Sequence, residues 1–166
     1  VPNIFKKLFS NVENPQPLYV WWVTTIGSAL GIFWFTYSGI VLDILSKDHT
    51  HLVVLMSALF LYSIINLAKA AWELSKDVRS INAVKYLNRV WFLSEMEMVL
   101  AMIGTSIGII MLLGINQNLS VSDISNLQPL LVNMWSTLGT AFYPNSVGLV
   151  YAAILKFQSF FISETK

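Results

Sequence analysis

The sequence predicts an all-α membrane protein: four transmembrane helices behind a short amphipathic helix on the membrane surface, forming a single polytopic domain over residues 1–166. Three observations predict it. Of the 166 residues 55% are hydrophobic and only 11% charged, against about a quarter in ordinary soluble domains, and mean hydropathy is +0.64. The apolar stretches are continuous and of helix length, not the alternating ten-residue segments of a β-barrel. The basic residues also fall very unevenly between the connections, as membrane topology requires. Cysteine is absent, which leaves no disulfide framework and no thiolate metal site. A net charge of +1 gives no reason to expect nucleic acid as a partner.

Residues 2–13 place Ile4, Phe5, Leu8, Phe9 and Val12 on one helical face and Lys6, Lys7 and Ser10 on the other. That pattern predicts a helix lying on the inner leaflet, lysines toward anionic head groups. It is not the pattern of a signal peptide, because the following apolar run is too long and no small-residue cleavage site closes it. After the Asn14-Pro-Gln-Pro17 break, a first transmembrane helix is expected over 18–45, with Tyr19, Trp21 and Trp22 at head-group level. Gly27 and Gly31 give it a GxxxG face for close helix contact, and Asp43 lies at its far end, within reach of water.

A tight connection at Ser46–Thr50 makes the second helix, 51–74, an antiparallel neighbour of the first. His49 and His51 have no carboxylate or thiolate set around them and read as solvated. Lys69, Trp72 and Glu73 mark an interface where the lysine can reach water. Residues 75–91 form a polar connection too short for a domain. They contain no Gly or Pro, so the flanking helices are expected to run beyond the membrane and turn there. The third transmembrane helix is placed at 92–115, with Glu95 and Glu97 in its first turns, set against the helix N-terminus or paired with Arg89. A polar loop with a capping-box pattern at Ser120–Asp123 leads to the fourth, 128–156. Pro129 suits its first turn; Pro144, inside the span, frees a carbonyl and bends the axis.

Four crossings put both termini on the side of the 75–91 connection. That side collects Lys6, Lys7, Lys69, Lys76, Arg79, Lys85, Arg89, Lys156 and Lys166, and the other has only Lys47. The asymmetry makes both termini cytoplasmic. No Ser/His/Asp set, metal-ligand cluster or phosphate loop is present, and no charge is expected in the hydrophobic centre of a helix. An enzyme, a metal and a cofactor are therefore not expected; the membrane interior offers hydroxyls and amides.

Two of the helices carry small, polar faces. Ala101, Gly104, Thr105, Gly108 and Leu112 recur at steps of three or four, as do Thr137, Ala141, Pro144, Asn145, Gly148 and Ala152. Plain helix packing is the simpler reading of such faces. Yet MVLAMIGTSIGIIMLLG, residues 98–114, resembles the LLGTVxGII segment of the MotA/TolQ/ExbB family of ion-driven motors, at Gly104, Thr105, Gly108 and Ile109. LQPLLVNMWSTLGTAFYPNSVGLVYAAI, residues 127–154, resembles that family's last helix at Thr140, Ala141, Gly148 and Leu149.

The resemblance spans roughly residues 95–158. It implies a pentameric ring in the bacterial inner membrane, enclosing the membrane helices of a single-span partner of the ExbD/TolR/MotB kind whose aspartate carries the ion. Thr105 falls on the first family threonine and Asn145 on the second, with Thr137 and Thr140 on the same ion-path face; Gly104, Gly108, Ala141, Pro144 and Gly148 are implied to pack the pore helices. Pro144-Asn145 departs from the family pattern, and the large cytoplasmic segment that the family inserts before its pore pair has no counterpart. A non-conducting anchoring subunit of a larger membrane complex is the alternative expectation, and a holin-like channel a third.

Overall fold

A computed structural model describes residues 14–48, 51–116 and 127–164. The expected surface helix at 2–13 and the capping box at Ser120–Asp123 lie outside these residues. The described chain is helical throughout, in the order α1 (Gln16–Tyr37), α2 (Ile40–Lys47), α3 (Leu52–Lys76), α4 (Ile81–Asn116) and α5 (Leu127–Glu164). Gln16–Tyr37, Leu52–Lys76, Ile81–Met111 and Ala141–Glu164 are each long and apolar enough to cross a membrane.

The first expected helix, 18–45, is broken in two. Its apolar character does not change along the way; the backbone does. Gly39 has φ 78°, in the left-handed region that costs an L-residue strain and glycine almost none. The N–H of Ser38 reaches Trp34 O at 2.9 Å and that of Gly39 reaches Thr36 O at 3.0 Å, closing α1 before α2 restarts. Beyond α2, the Asp48 carboxylate accepts the Val53 N–H at 2.9 Å, satisfying one donor of the first turn of α3.

Between α3 and α4 only Asp77–Ser80 is turn, so the two helices run on into the polar connection and turn there, as expected, and α4 begins at Ile81, eleven residues before the span placed at 92–115. At 1.5 Å per residue α4 is about 54 Å long and α5 about 57 Å, against a hydrocarbon core of about 30 Å. A crossing of that thickness would use only part of each.

α3, α4 and α5 pack through stripes with steps of three and four residues. The buried positions are Val53, Met56, Phe60, Ser63, Leu67, Ala70 and Leu74 on α3, and Ala83, Leu87, Val90, Ser94, Glu97 and Ala101 on α4, continued by Gly104 and Gly108. On α5 they are Ala141, Pro144, Gly148, Ala152, Leu155, Gln158 and Ile162. This is the spacing of helices crossing at a shallow left-handed angle of about 20°. Phe60, Leu67, Leu74, Ala83, Leu87, Leu155 and Ile162 form one core, with Leu18, Val20 and Trp21 of α1 against it. Val53, Met56 and Ala101 form a second toward the other end, under Ile44 of α2.

The first core and the Asn14 N–H bond to Ser75 O (3.0 Å) put the start of α1, the Asp77–Ser80 turn and the end of α5 at one end of the bundle. Cations at that end lie over aromatic rings: Lys76 over Trp72 at 4.9 Å, Lys156 over Trp91 at 5.0 Å and Arg89 over Tyr86 at 5.8 Å. Amphipathic aromatics with snorkelling cations are the usual furniture of a head-group layer.

Candidate functional site at the α4–α5 contact

Glycine decides where α4 and α5 meet. A Cβ at Gly104 would lie 2.6 Å from Pro144 Cβ and 3.2 Å from Leu52 Cδ1 of α3. One at Gly108 would overlap the Ala141 side chain and lie 2.6 Å from Ala141 Cα, and one at Gly148 would lie 2.7 Å from Ala101 Cβ and 3.0 Å from Met56 Sδ. These pairings run in opposite directions along the two helices, so α4 and α5 are antiparallel, with α3 closing the third side. The five residues expected to pack pore helices, Gly104, Gly108, Ala141, Pro144 and Gly148, thus do pack helices, within one chain. Their small faces meet one another within the chain. By contrast a Cβ at Gly27 or Gly31 on α1 would meet no atom within 4 Å, so the GxxxG pair makes no close contact among the described residues.

Thr105 and Asn145 each follow a member of the Gly104–Pro144 contact, which puts them at one level of the pair, and both are half-buried. The Thr105 hydroxyl donates to Ala101 O of its own helix at 3.1 Å. Its proton is therefore committed, and its oxygen is open to accept. Thr137 and Thr140 belong to α5, nearer its start; their side chains are not among those described.

Other polar contacts brace this region. The Ser57 and Tyr151 hydroxyls share a hydrogen bond of 3.1 Å between α3 and α5, with Phe60 stacked on Tyr151 at 4.3 Å. The Tyr143 hydroxyl donates to Asp43 Oδ2 at 3.3 Å, tying α2 to α5.

The two glutamates of α4 correct the sequence expectation. Because the helix starts at Ile81, Glu95 and Glu97 lie about four turns into it, far from an N-terminus. Arg89 is not their partner: Glu95 accepts from Lys156 Nζ at 2.6 Å, an exposed pair between α4 and α5. Glu97 points the other way. It is 0% exposed, within the Ile81–Met111 span, and neither carboxyl oxygen has a hydrogen-bond partner. The expectation of no charge in the hydrophobic centre of a helix concerns depth in the membrane, and Glu97 lies only two residues beyond Glu95, which pairs with Lys156. The signal for its burial was the three-and-four spacing that sets it on one stripe with Val90, Ser94 and Ala101.

Comparison with protein-family models, with curated proteins and with solved structures finds no match to this chain.

Proposed function

We infer that this chain is the ring subunit of an ion-driven complex of the bacterial inner membrane. In this reading copies of the chain, five by the MotA/TolQ/ExbB resemblance, surround the membrane helices of a single-span partner that supplies an aspartate. The observation that carries the reading is the shared level of Thr105 and Asn145 beside the tight Gly104–Pro144 contact, at the two positions where the resemblance implies an ion path. A carboxylate in a low-dielectric path ionises only where donors or water stabilise it. Asn145 brings a carboxamide, and Thr105 brings a hydroxyl that must turn from Ala101 O before it can donate outward. By the same resemblance Thr137 and Thr140 belong to the ion path. The electrical part of the driving gradient is worth about 2.3 kcal/mol per charge for each 100 mV.

The nine-to-one charge asymmetry supports cytoplasmic termini, with the Asp77–Ser80 end of the bundle inward. Since the glycine faces are occupied within the subunit, contacts between copies fall to exposed apolar faces such as Met102, Ile110 and Trp135. Native mass spectrometry of the complex purified from its own membranes in mild detergent tests the ring. A multimer with a single-span protein bound supports it, and a monomer at every concentration contradicts it.

The same internal packing favours a second reading, a non-conducting anchoring subunit, because small faces filled within one chain need no ion path to explain them. That reading expects variants at Thr105 and Asn145 to assemble and work as the wild type does.

A further inference from the structure

Glu97 has no part in that reading, yet an ionisable side chain enclosed in a membrane bundle is costly to keep and tends to be there for use. Its surroundings make no use of it structurally. Ser94, one turn away on the same stripe, gives its hydroxyl to Trp91 O at 2.7 Å. Ser63, on the buried stripe of α3, gives its own to Leu59 O at 2.8 Å. The Ser57 and Tyr151 hydroxyls bond to each other. Lys156, the single cation of α5, is held by Glu95 on an exposed face, while α1 and the Leu52–Ala68 stretch of α3 carry no charged residue. Helix α5 approaches closely here, since a Cβ at Gly148 would lie 2.8 Å from the Glu97 carbonyl oxygen. A lasting charge on the carboxyl would stand without a partner in a low-dielectric interior. A proton carrier bears such a charge only in transit.

The opening nearest to Glu97 along α4 lies toward the end that holds the Asp77–Ser80 turn. A cleft of about 240 Å³ between α4 and α5 is lined by Leu87, Asn88, Trp91, Ser159 and Ser163 among others. Ser159 is 5% exposed, and its hydroxyl has no partner. The register set by Gly148 against Ala101 puts Ser159 about one turn from Ser94, which is about one turn from Glu97, in steps of about 5 Å.

We propose that Glu97 is a proton-exchanging carboxyl, served from this cleft by the Ser159 and Ser94 hydroxyls, so that the chain carries an intramembrane acid of its own. In each exchange one carboxyl O–H bond breaks and a new O–H bond forms on a hydroxyl oxygen, which turns from its present acceptor and gives up its own proton to the next hydroxyl or to water; nothing is oxidised or reduced. The proposal concerns a single chain and stands whether or not a ring or a partner exists.

Its test uses the purified protein in liposomes. Dicyclohexylcarbodiimide, which adds to the O–H of carboxylic acids enclosed in membranes, should give one adduct, mapped by mass spectrometry to the peptide holding Glu97. The adduct should be lost in Glu97→Gln and kept in Glu95→Gln. Infrared difference spectra between acid and alkaline buffer should show a carboxyl C=O band in the wild type that disappears in Glu97→Gln. Ser159→Val should slow the hydrogen–deuterium exchange of that band. Both signals are read first on the wild type, so a Glu97→Gln that fails to fold leaves the test intact; Glu97→Asp, which keeps the acid, must then shift the band. Folded wild type with no adduct at Glu97, a carboxyl band indifferent to pH, or a band unmoved by Glu97→Asp overturns the proposal.

Discussion

Gly108→Ala is the sharpest probe of the α4–α5 contact. The added methyl would overlap the Ala141 side chain and sit 2.6 Å from Ala141 Cα, where ordinary contact begins at 3.4 Å. The obstacle is backbone, so no rotamer change relieves it, and the helices must part along a contact that continues through Gly104 and Pro144. Overpacking of this kind costs about 1–3 kcal/mol, and a backbone obstacle puts this case near 3. Replacing glycine in a helix interior returns about 1 kcal/mol of conformational entropy, for a net loss of about 2 kcal/mol. Gly27→Ala and Gly31→Ala are matched controls, since a methyl at either meets nothing within 4 Å. Each should be neutral or stabilising by up to about 1 kcal/mol. Reversible unfolding in detergent micelles, followed by circular dichroism, reads all three. If Gly108→Ala unfolds with the stability of Gly27→Ala, the antiparallel contact described here is wrong.

Gly39→Ala should destabilise by about 1 kcal/mol, because φ 78° strains any residue with a Cβ, whereas Ser38→Ala should change stability by less than half as much in the same unfolding assay. Asp48→Ala removes the carboxylate that takes the Val53 N–H and should cost about 0.5–2 kcal/mol; hydrogen exchange of the first turn of α3 should rise with it. Lys156→Gln breaks an exposed ion pair and should cost less than about 1 kcal/mol, with no loss of assembly on native mass spectrometry. Single cysteines at Ser122 and at Ser80, in a chain with none of its own, should label from opposite sides of the membrane, Ser122 from outside.

The four spans were legible because hydrocarbon thickness sets a minimum apolar length that few other constraints imitate. Interruptions within a span were not. The apolar run resumes at Ile40–Leu42 directly after the break at Gly39, so only the Ser-Gly pair, a weak turn signal by itself, marked where α1 ends. The small faces of α4 and α5 were legible too, since close helix approach in lipid requires small residues. What they face was not, because the same spacing serves contact within a chain and between chains. Gly27 and Gly31 make the point from the other side: their motif matches, and nothing packs on it. Glu97 was hidden because Arg89 and Glu95 beside it are charged as well, and spacing alone does not say which face of α4 the other helices cover. Helices that are apolar all round give periodicity little to report, so which side of α4 is buried emerges only when α3 and α5 are in place.

Ion flux through the purified complex is the most direct test of the proposed function. Complex isolated with its partner is placed in liposomes, a membrane potential is imposed, and the internal pH and sodium are followed for the wild type, Thr105→Ala and Asn145→Leu. The account predicts gradient-driven flux in the wild type and its loss in both variants, each still assembled by native mass spectrometry. Wild-type flux in both assembled variants would contradict it.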